Sequence, residues 1–249
     1  NRNHVGLTVK INTDNLKGKC AFISGATGGI GKAIAIALAE EGCDLFLTST
    51  TNSSLQQVVE SLKKYHVRVE ACSGDLSNEK EIYNIVKCAK ENFKGIDILI
   101  NSAGIFPNEN LFTIDDEAYS KVMNINFRSA FIFTREFSKY MSKERWGRIV
   151  NIGSSSAYSG FGGTSLYCAT KHALLGFSRA IHDELKQFNV RSYYISPSST
   201  QSKMGMATKG QDYETFLHPS DIAKYVVFSI SFDSNLISEE IFLKRMIIR

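Results

Sequence analysis

The chain has 249 residues, 43% hydrophobic and 22% charged, with 18 Gly and 3 Pro. That length and apolar share admit one large α/β domain or two small ones, and exclude disorder and collagen-like or short-period repeats. A net charge of +4, with 29 basic residues interleaved among 25 acidic ones, gives no reason to expect a nucleic-acid partner.

Short apolar runs alternate with longer helical patterns along the chain. Cys20 to Ser24 reads as a buried strand that runs into glycines. Ile30, Ala33, Ile34, Ala37 and Leu38 then recur at the spacing of one helix face. Leu45 to Thr48 is a second strand, followed by a helix over about Ser54 to Tyr65. Strands at Arg68 to Ser73 and Ile96 to Ile100 flank a helix rich in Lys and Glu. A long helix is expected from about Asp116 to Ser142, then a strand at Arg148 to Ile152. A helix over Leu166 to Phe188 leads to a strand at Val190 to Ile195. The last helix covers about Ser220 to Ser231, with a short strand at Glu240 to Leu243. This rhythm predicts a doubly wound parallel sheet with helices on both faces, in one domain spanning 1–249. Residues 1–15 read as an N-terminal extension and 200–216 as a short substrate lid.

The five cysteines (Cys20, Cys43, Cys72, Cys88, Cys168) are scattered, with no CxxC pair and no His at metal spacing. They read as buried thiols of a cytoplasmic protein, and no metal site is expected. No apolar run reaches the ~18 residues of a membrane span, and nothing at the start reads as a secretory leader.

The turn Ser24-Gly25-Ala26-Thr27-Gly28-Gly29-Ile30-Gly31 joins the first strand to the first helix. Glycines there permit a tight turn and close approach of backbone to a ligand, and the helix start aims free N–H groups at a pyrophosphate. Placement between a buried strand and an amphipathic helix predicts dinucleotide binding, and the missing Gly-Lys-Ser/Thr excludes a Walker A loop. An NAD site usually carries a carboxylate at the end of the second strand. Here stand Thr48, Ser49, Thr50, Thr51 and Asn52, so NADP(H) is expected over NAD(H), although no Arg adjoins the turn or the strand.

Tyr167-Cys168-Ala169-Thr170-Lys171 places a phenol and an ammonium on one helix face. Positive charge beside the phenol favours phenolate, making Tyr167 a better proton donor to a forming alkoxide. The same spacing in Tyr83 and Lys87 reads as a solvated helix face. What separates them is Ser154, thirteen residues before Tyr167 at a strand end, where it could hold a substrate oxygen.

With these motifs the sequence resembles the short-chain dehydrogenase/reductase family over about Leu16 to Leu243. Asp75 after the third strand, Asn101-Ser102-Ala103-Gly104 after the fourth, and Asn126 in the long helix complete the likeness. The resemblance implies that Tyr167 protonates a carbonyl while a nicotinamide delivers hydride. Lys171 would lower the Tyr pKa and bind the nicotinamide ribose, and Asn126 would hold a relay water. Gly25, Thr27, Gly28, Gly29, Ile30, Gly31, Ser49, Thr50, Asp75, Leu76, Asn101, Ala103 and Gly104 would surround the rest of the dinucleotide. After the sixth strand, Pro197, Ser198, Thr200 and Ser202 stand where the family has Pro-Gly and a Thr gripping the nicotinamide carboxamide. Lys203 and Lys209 on the lid suggest a small polar, even anionic, substrate.

Within the family the motifs look most like those of 3-oxoacyl-acyl-carrier-protein reductases. Arg145 matches one carrier-docking residue, whereas Phe188 occupies the place of the second. The expectation is thus a homodimeric or homotetrameric NADP-dependent enzyme interconverting a small carbonyl compound and a secondary alcohol, with a 3-oxoacyl thioester as one candidate. An NAD-linked sugar or polyol dehydrogenase is the alternative, and a cofactor-sensing protein without catalysis a further one.

Overall fold

The computed structural model describes residues 12–107, 110–206 and 210–246; most of the expected N-terminal extension and Lys209 lie outside these. Seven parallel strands form one sheet in the order β3-β2-β1-β4-β5-β6-β7. They are β1 (Cys20–Ser24), β2 (Asp44–Ser49), β3 (Val69–Ser73), β4 (Ile98–Asn101), β5 (Gly147–Ile152), β6 (Val190–Pro197) and β7 (Glu240–Leu243). β1, β4 and β5 are buried at every residue. That is the mark of a parallel sheet covered on both faces, and it explains why these strands read as continuous apolar runs.

The helices are α1 (Gly29–Glu40), α2 (Asn52–Leu62), α3 (Glu79–Asn92), α4 (Asp116–Met123), α5 (Ser129–Glu144), α6 (Ser165–Leu185), α7 (Lys203–Met206) and α8 (Pro219–Ile230). Alternate strand residues point to opposite faces. Ile23, Leu45 and Leu47 therefore meet Ile34 and Leu38 of α1, Leu55 of α2 and Val226 of α8. Phe22, Phe46, Leu99 and Ile149 meet Ile85 of α3, Phe133 and Phe137 of α5, and Ile181 of α6. The Phe22 ring lies 4.7 and 4.8 Å from those of Phe133 and Phe137, so these two phenylalanines are core. Phe131, on the same helix, stays 39% exposed.

Chain order reverses direction across the sheet between β1 and β4. The loops leaving those two strands diverge there, opening a crevice beyond the carboxyl ends of the strands. The expected single helix over Asp116 to Ser142 differs in one respect. A π-turn at Asn124–Arg128 separates α4 from α5. The added residue in that turn carries Asn126 inward, where it is 1% exposed. Leu16, the first residue after the expected extension, is fully buried, and its carbonyl accepts from the Cys43 thiol.

Candidate active site

The crevice has two connected parts. One, of about 410 Å³, is lined by the turn residues Gly25, Thr27 and Gly28, by Ser49, Thr50, Thr51 and Ser54, by Leu76, and by Ser102 to Ile105. The other, of about 340 Å³, contains Ser154, Tyr167 and Lys171, with Pro197, Ser198, Thr200 and Ser202 along its wall. Ser102 and Gly104 line both parts.

In the first part the glycines act chiefly within the protein. Gly25 has φ +67°, and a Cβ on it would lie 2.8 Å from the Ala103 Cα; one on Gly31 would lie 2.3 Å from the Gly25 carbonyl oxygen. The turn is pressed against the β4 loop and against its own helix. Neither Gly29 nor Gly31 lines the crevice. α1 follows Gly28, which offers no side-chain cap, and has no acidic residue in its first turn, which leaves its positive end free for an anion. The Ser49 hydroxyl at the end of β2 is buried, unpartnered and on this wall. An open helix terminus and an orphaned hydroxyl fit a dinucleotide carrying phosphate and ribose groups.

Several residues expected to touch the cofactor also make contacts within the protein. One Asp75 carboxylate oxygen accepts from Ser77 N at 2.8 Å, and its neighbour Leu76 lines the crevice. Asn101 lies behind the wall, only 4% exposed, and donates to Asn151 Oδ1 at 2.8 Å. Ile30 lines the Tyr167 part rather than the glycine-turn part. The Ser202 hydroxyl faces the wall but is spent locally, donating to Thr200 O at 3.3 Å and accepting from Gly205 N at 3.0 Å. Ser198, by contrast, keeps a buried hydroxyl without a partner.

In the second part, α6 carries both Tyr167 and Lys171, 7% and 5% exposed. The Lys171 Nζ donates to Ile152 O at 3.0 Å and lies 5.6 Å from the Tyr167 ring centre. Burial depresses the Lys171 pKa to about 8. Burial pushes the Tyr167 phenol up, and the hydrogen bond with the Ser154 hydroxyl pulls part of the way back. Ser154 also accepts from Ser156 N at 3.1 Å, which fixes its side chain at the strand end.

Asn126 joins the two parts. Its Oδ1 accepts from Ile105 N at 2.8 Å, and its Nδ2 donates to Ile105 O at 2.9 Å and to Thr170 Oγ1 at 3.2 Å. With both ends of the amide engaged, Asn126 ties the β4 loop to α6. Tyr194 of β6 does similar work unannounced, its hydroxyl donating to Lys171 O at 3.1 Å. In sequence it is one more apolar strand residue and carries no signal. Phe106, whose ring stands edge-on to Tyr167 at 4.7 Å, was equally silent. Tyr83 and Lys87 stay on a solvated face, Lys87 pairing with Glu91. Arg145 lines a separate cleft with His182 and Lys186. Among the described residues no group of His, Cys, Asp or Glu could hold a metal ion, and no helix is long and apolar enough to cross a membrane.

A nucleotide-binding turn and a Ser–Tyr–Lys set on one crevice define an oxidoreductase of the dinucleotide-dependent kind. Residues 19–212 match the model of the short chain dehydrogenase family, and the chain belongs to the short-chain dehydrogenase/reductase family. Its relatives include 2,3-dihydro-2,3-dihydroxybenzoate dehydrogenase of Bacillus subtilis, 31% identical over 240 residues that cover 89% of this chain and 92% of that one. A 3-oxoacyl-[acyl-carrier-protein] reductase of Vibrio cholerae is also 31% identical, over 91% of this chain and 95% of its own. The structure of L-sorbose reductase from Gluconobacter frateurii shares the fold, with a TM-score of 0.85 at 24% identity over 94% of this chain and 97% of that one.

Proposed function

We propose that the chain is an NADP-dependent reductase of small, uncharged polar carbonyl compounds, or the dehydrogenase of the matching secondary alcohols. The observation that carries the reading is the continuity of the crevice: Ser102 and Gly104 connect the glycine turn to the wall holding Ser154, Tyr167 and Lys171. When bound, the nicotinamide supplies or accepts the hydride. Ser154 holds the substrate oxygen, and the Tyr167 hydroxyl delivers a proton to it as it gains charge.

NADP is favoured because Ser49, Thr50, Thr51 and Ser54 line the far end of the crevice with no carboxylate among the lining residues to repel a 2′-phosphate. An uncharged substrate is favoured because the second part offers Ser155, Ser156, Thr164, Ser199 and Gln211, with Lys171 its one cation among the described residues. The same hydroxyls favour the alternative, an NAD-linked sugar or polyol dehydrogenase. A 3-oxoacyl thioester draws its support from the Vibrio cholerae relative. Assembly as a homodimer or homotetramer is proposed on the exposed Tyr119, Phe131, Tyr225 and Phe228, large apolar groups that a partner would cover.

The test follows nicotinamide absorbance with NADPH and NADH against acetoacetyl thioesters, ketoses and simple neutral ketones. Turnover of the ketoses or ketones with a higher kcat/KM for NADPH is expected. A preference for NADH would transfer the assignment to the alternative. Turnover confined to thioesters would replace the substrate class, and no turnover would favour a cofactor-sensing protein.

A further inference from the structure

Sequence reading placed Lys203 on a substrate lid, but the structure puts it on the glycine-turn part of the crevice, with Gly25, Thr27 and Gly28. It is the one Lys or Arg among the described residues lining that part. No described carboxylate pairs with it. A dinucleotide brings at least two negative charges into that space. The backbone of the turn and the α1 terminus meet them with partial charges only.

The main chain at Lys203 is well fixed. A Cβ on Gly29 would lie 3.3 Å from both the Gln201 carbonyl oxygen and the Ser202 Cβ, so this segment rests directly on the glycine turn. Gln201 N donates to Leu217 O at 2.9 Å, and Met206 N to Ser202 O at 2.9 Å. Lys203 thus leaves a braced main chain at the edge of the turn, with an exposed, unpaired ammonium able to follow the ligand.

We infer that Lys203 is the counter-ion of the dinucleotide pyrophosphate, a binding residue supplied from after β6 to a turn that lacks a cation of its own. A lysine suits this task as a mobile point charge. The inference rests on the dinucleotide reading above.

The test is calorimetric titration of wild type, Lys203→Met and Lys203→Arg with NADPH, ADP-ribose and 2′-phospho-ADP-ribose at low and high salt. Neither ADP-ribose ligand can be turned over, so the readout is independent of activity. Lys203→Met should weaken both by about tenfold at low salt, with the gap narrowing at high salt and Lys203→Arg largely restoring affinity. Unchanged affinity in Lys203→Met overturns the inference. So does a loss confined to the 2′-phosphorylated ligands, which would assign the lysine to the ribose phosphate. So does a loss that neither salt nor arginine alters, the sign of a merely structural role. If wild type binds none of the three ligands, the dinucleotide reading itself fails. If wild type binds and Lys203→Met binds equally, only the role of Lys203 falls.

Discussion

The two parts of the crevice are built by opposite means. Around the glycine turn the walls are mostly main chain and short hydroxyl side chains, and the tightest contacts are backbone against backbone, as between Gly31 and Gly25. Around Tyr167 they are side chains whose individual atoms are held by others: Lys171 by Ile152 O, Asn126 by Ile105, Ser154 by Ser156 N. The first construction depends on shape and has few atoms that chemistry requires. The second depends on the identity of a few functional groups, and the shape around them is supported from outside by residues such as Tyr194.

The sharpest way to break this contrast is Tyr167→Phe. Loss of one hydroxyl should lower kcat by about a thousandfold, the proton donor being gone, while NADPH binds within about twofold of wild type. Comparable losses in turnover and cofactor affinity would mean that the two parts are not separable. Gly31→Ala is the converse. Its Cβ would overlap the Gly25 carbonyl oxygen at 2.3 Å, so the turn must shift. Overpacking of this kind costs about 1–3 kcal/mol. The variant should melt lower and bind NADPH at least tenfold more weakly, with bound enzyme turning over near the wild-type rate. Unchanged affinity would show that the turn can be displaced without consequence.

The same contrast decides what could be read from sequence. Strands, helices and the glycine turn declare themselves through local periodicity, so β1 and β7 match their expected bounds and the other five strands and the main helices fall close to theirs. The site motifs are legible for a related reason: Tyr167 and Lys171 share one helix, and Ser154 follows closely on the strand before it. What stayed hidden depends on chain that is distant in sequence. The π-turn at Asn126 has no periodic signature in Asp116 to Ser142. Its effect, tying the β4 loop to α6, needs Ile105 and Thr170 to be placed first. Lys203 reads as lid because proximity in sequence links it to Gln211, whereas the packing of Ser202 on Gly29 brings it to the wall of the glycine turn. Asp75 and Asn101 each make a contact within the protein that their motifs do not announce: an Asx-type turn with Ser77 N in one case, a buried bond to Asn151 in the other.

Lys171 offers the smallest effect and the most direct look at the side-chain half. Its pKa is depressed from 10.5 to about 8 because the ammonium is buried and offset chiefly by one carbonyl. Below about pH 8 both folded and unfolded chains hold the proton, and the folded state bears the whole cost of burying the charge. Between about 8 and 10.5 the unfolded chain binds more protons, so the contribution of this residue to stability rises with pH. Cys20, Cys43 and Tyr194, all raised by burial, act in the other direction as their unfolded counterparts ionise. The comparison with Lys171→Met isolates the lysine from them. In urea unfolding the stability of Lys171→Met relative to wild type should be greatest at pH 7. It should fall by on the order of 2 kcal/mol toward pH 10, as wild type sheds the charge. A difference that does not move with pH would mean that the ammonium is solvated in the folded chain. The ordered contact with Ile152 would then not describe the resting site.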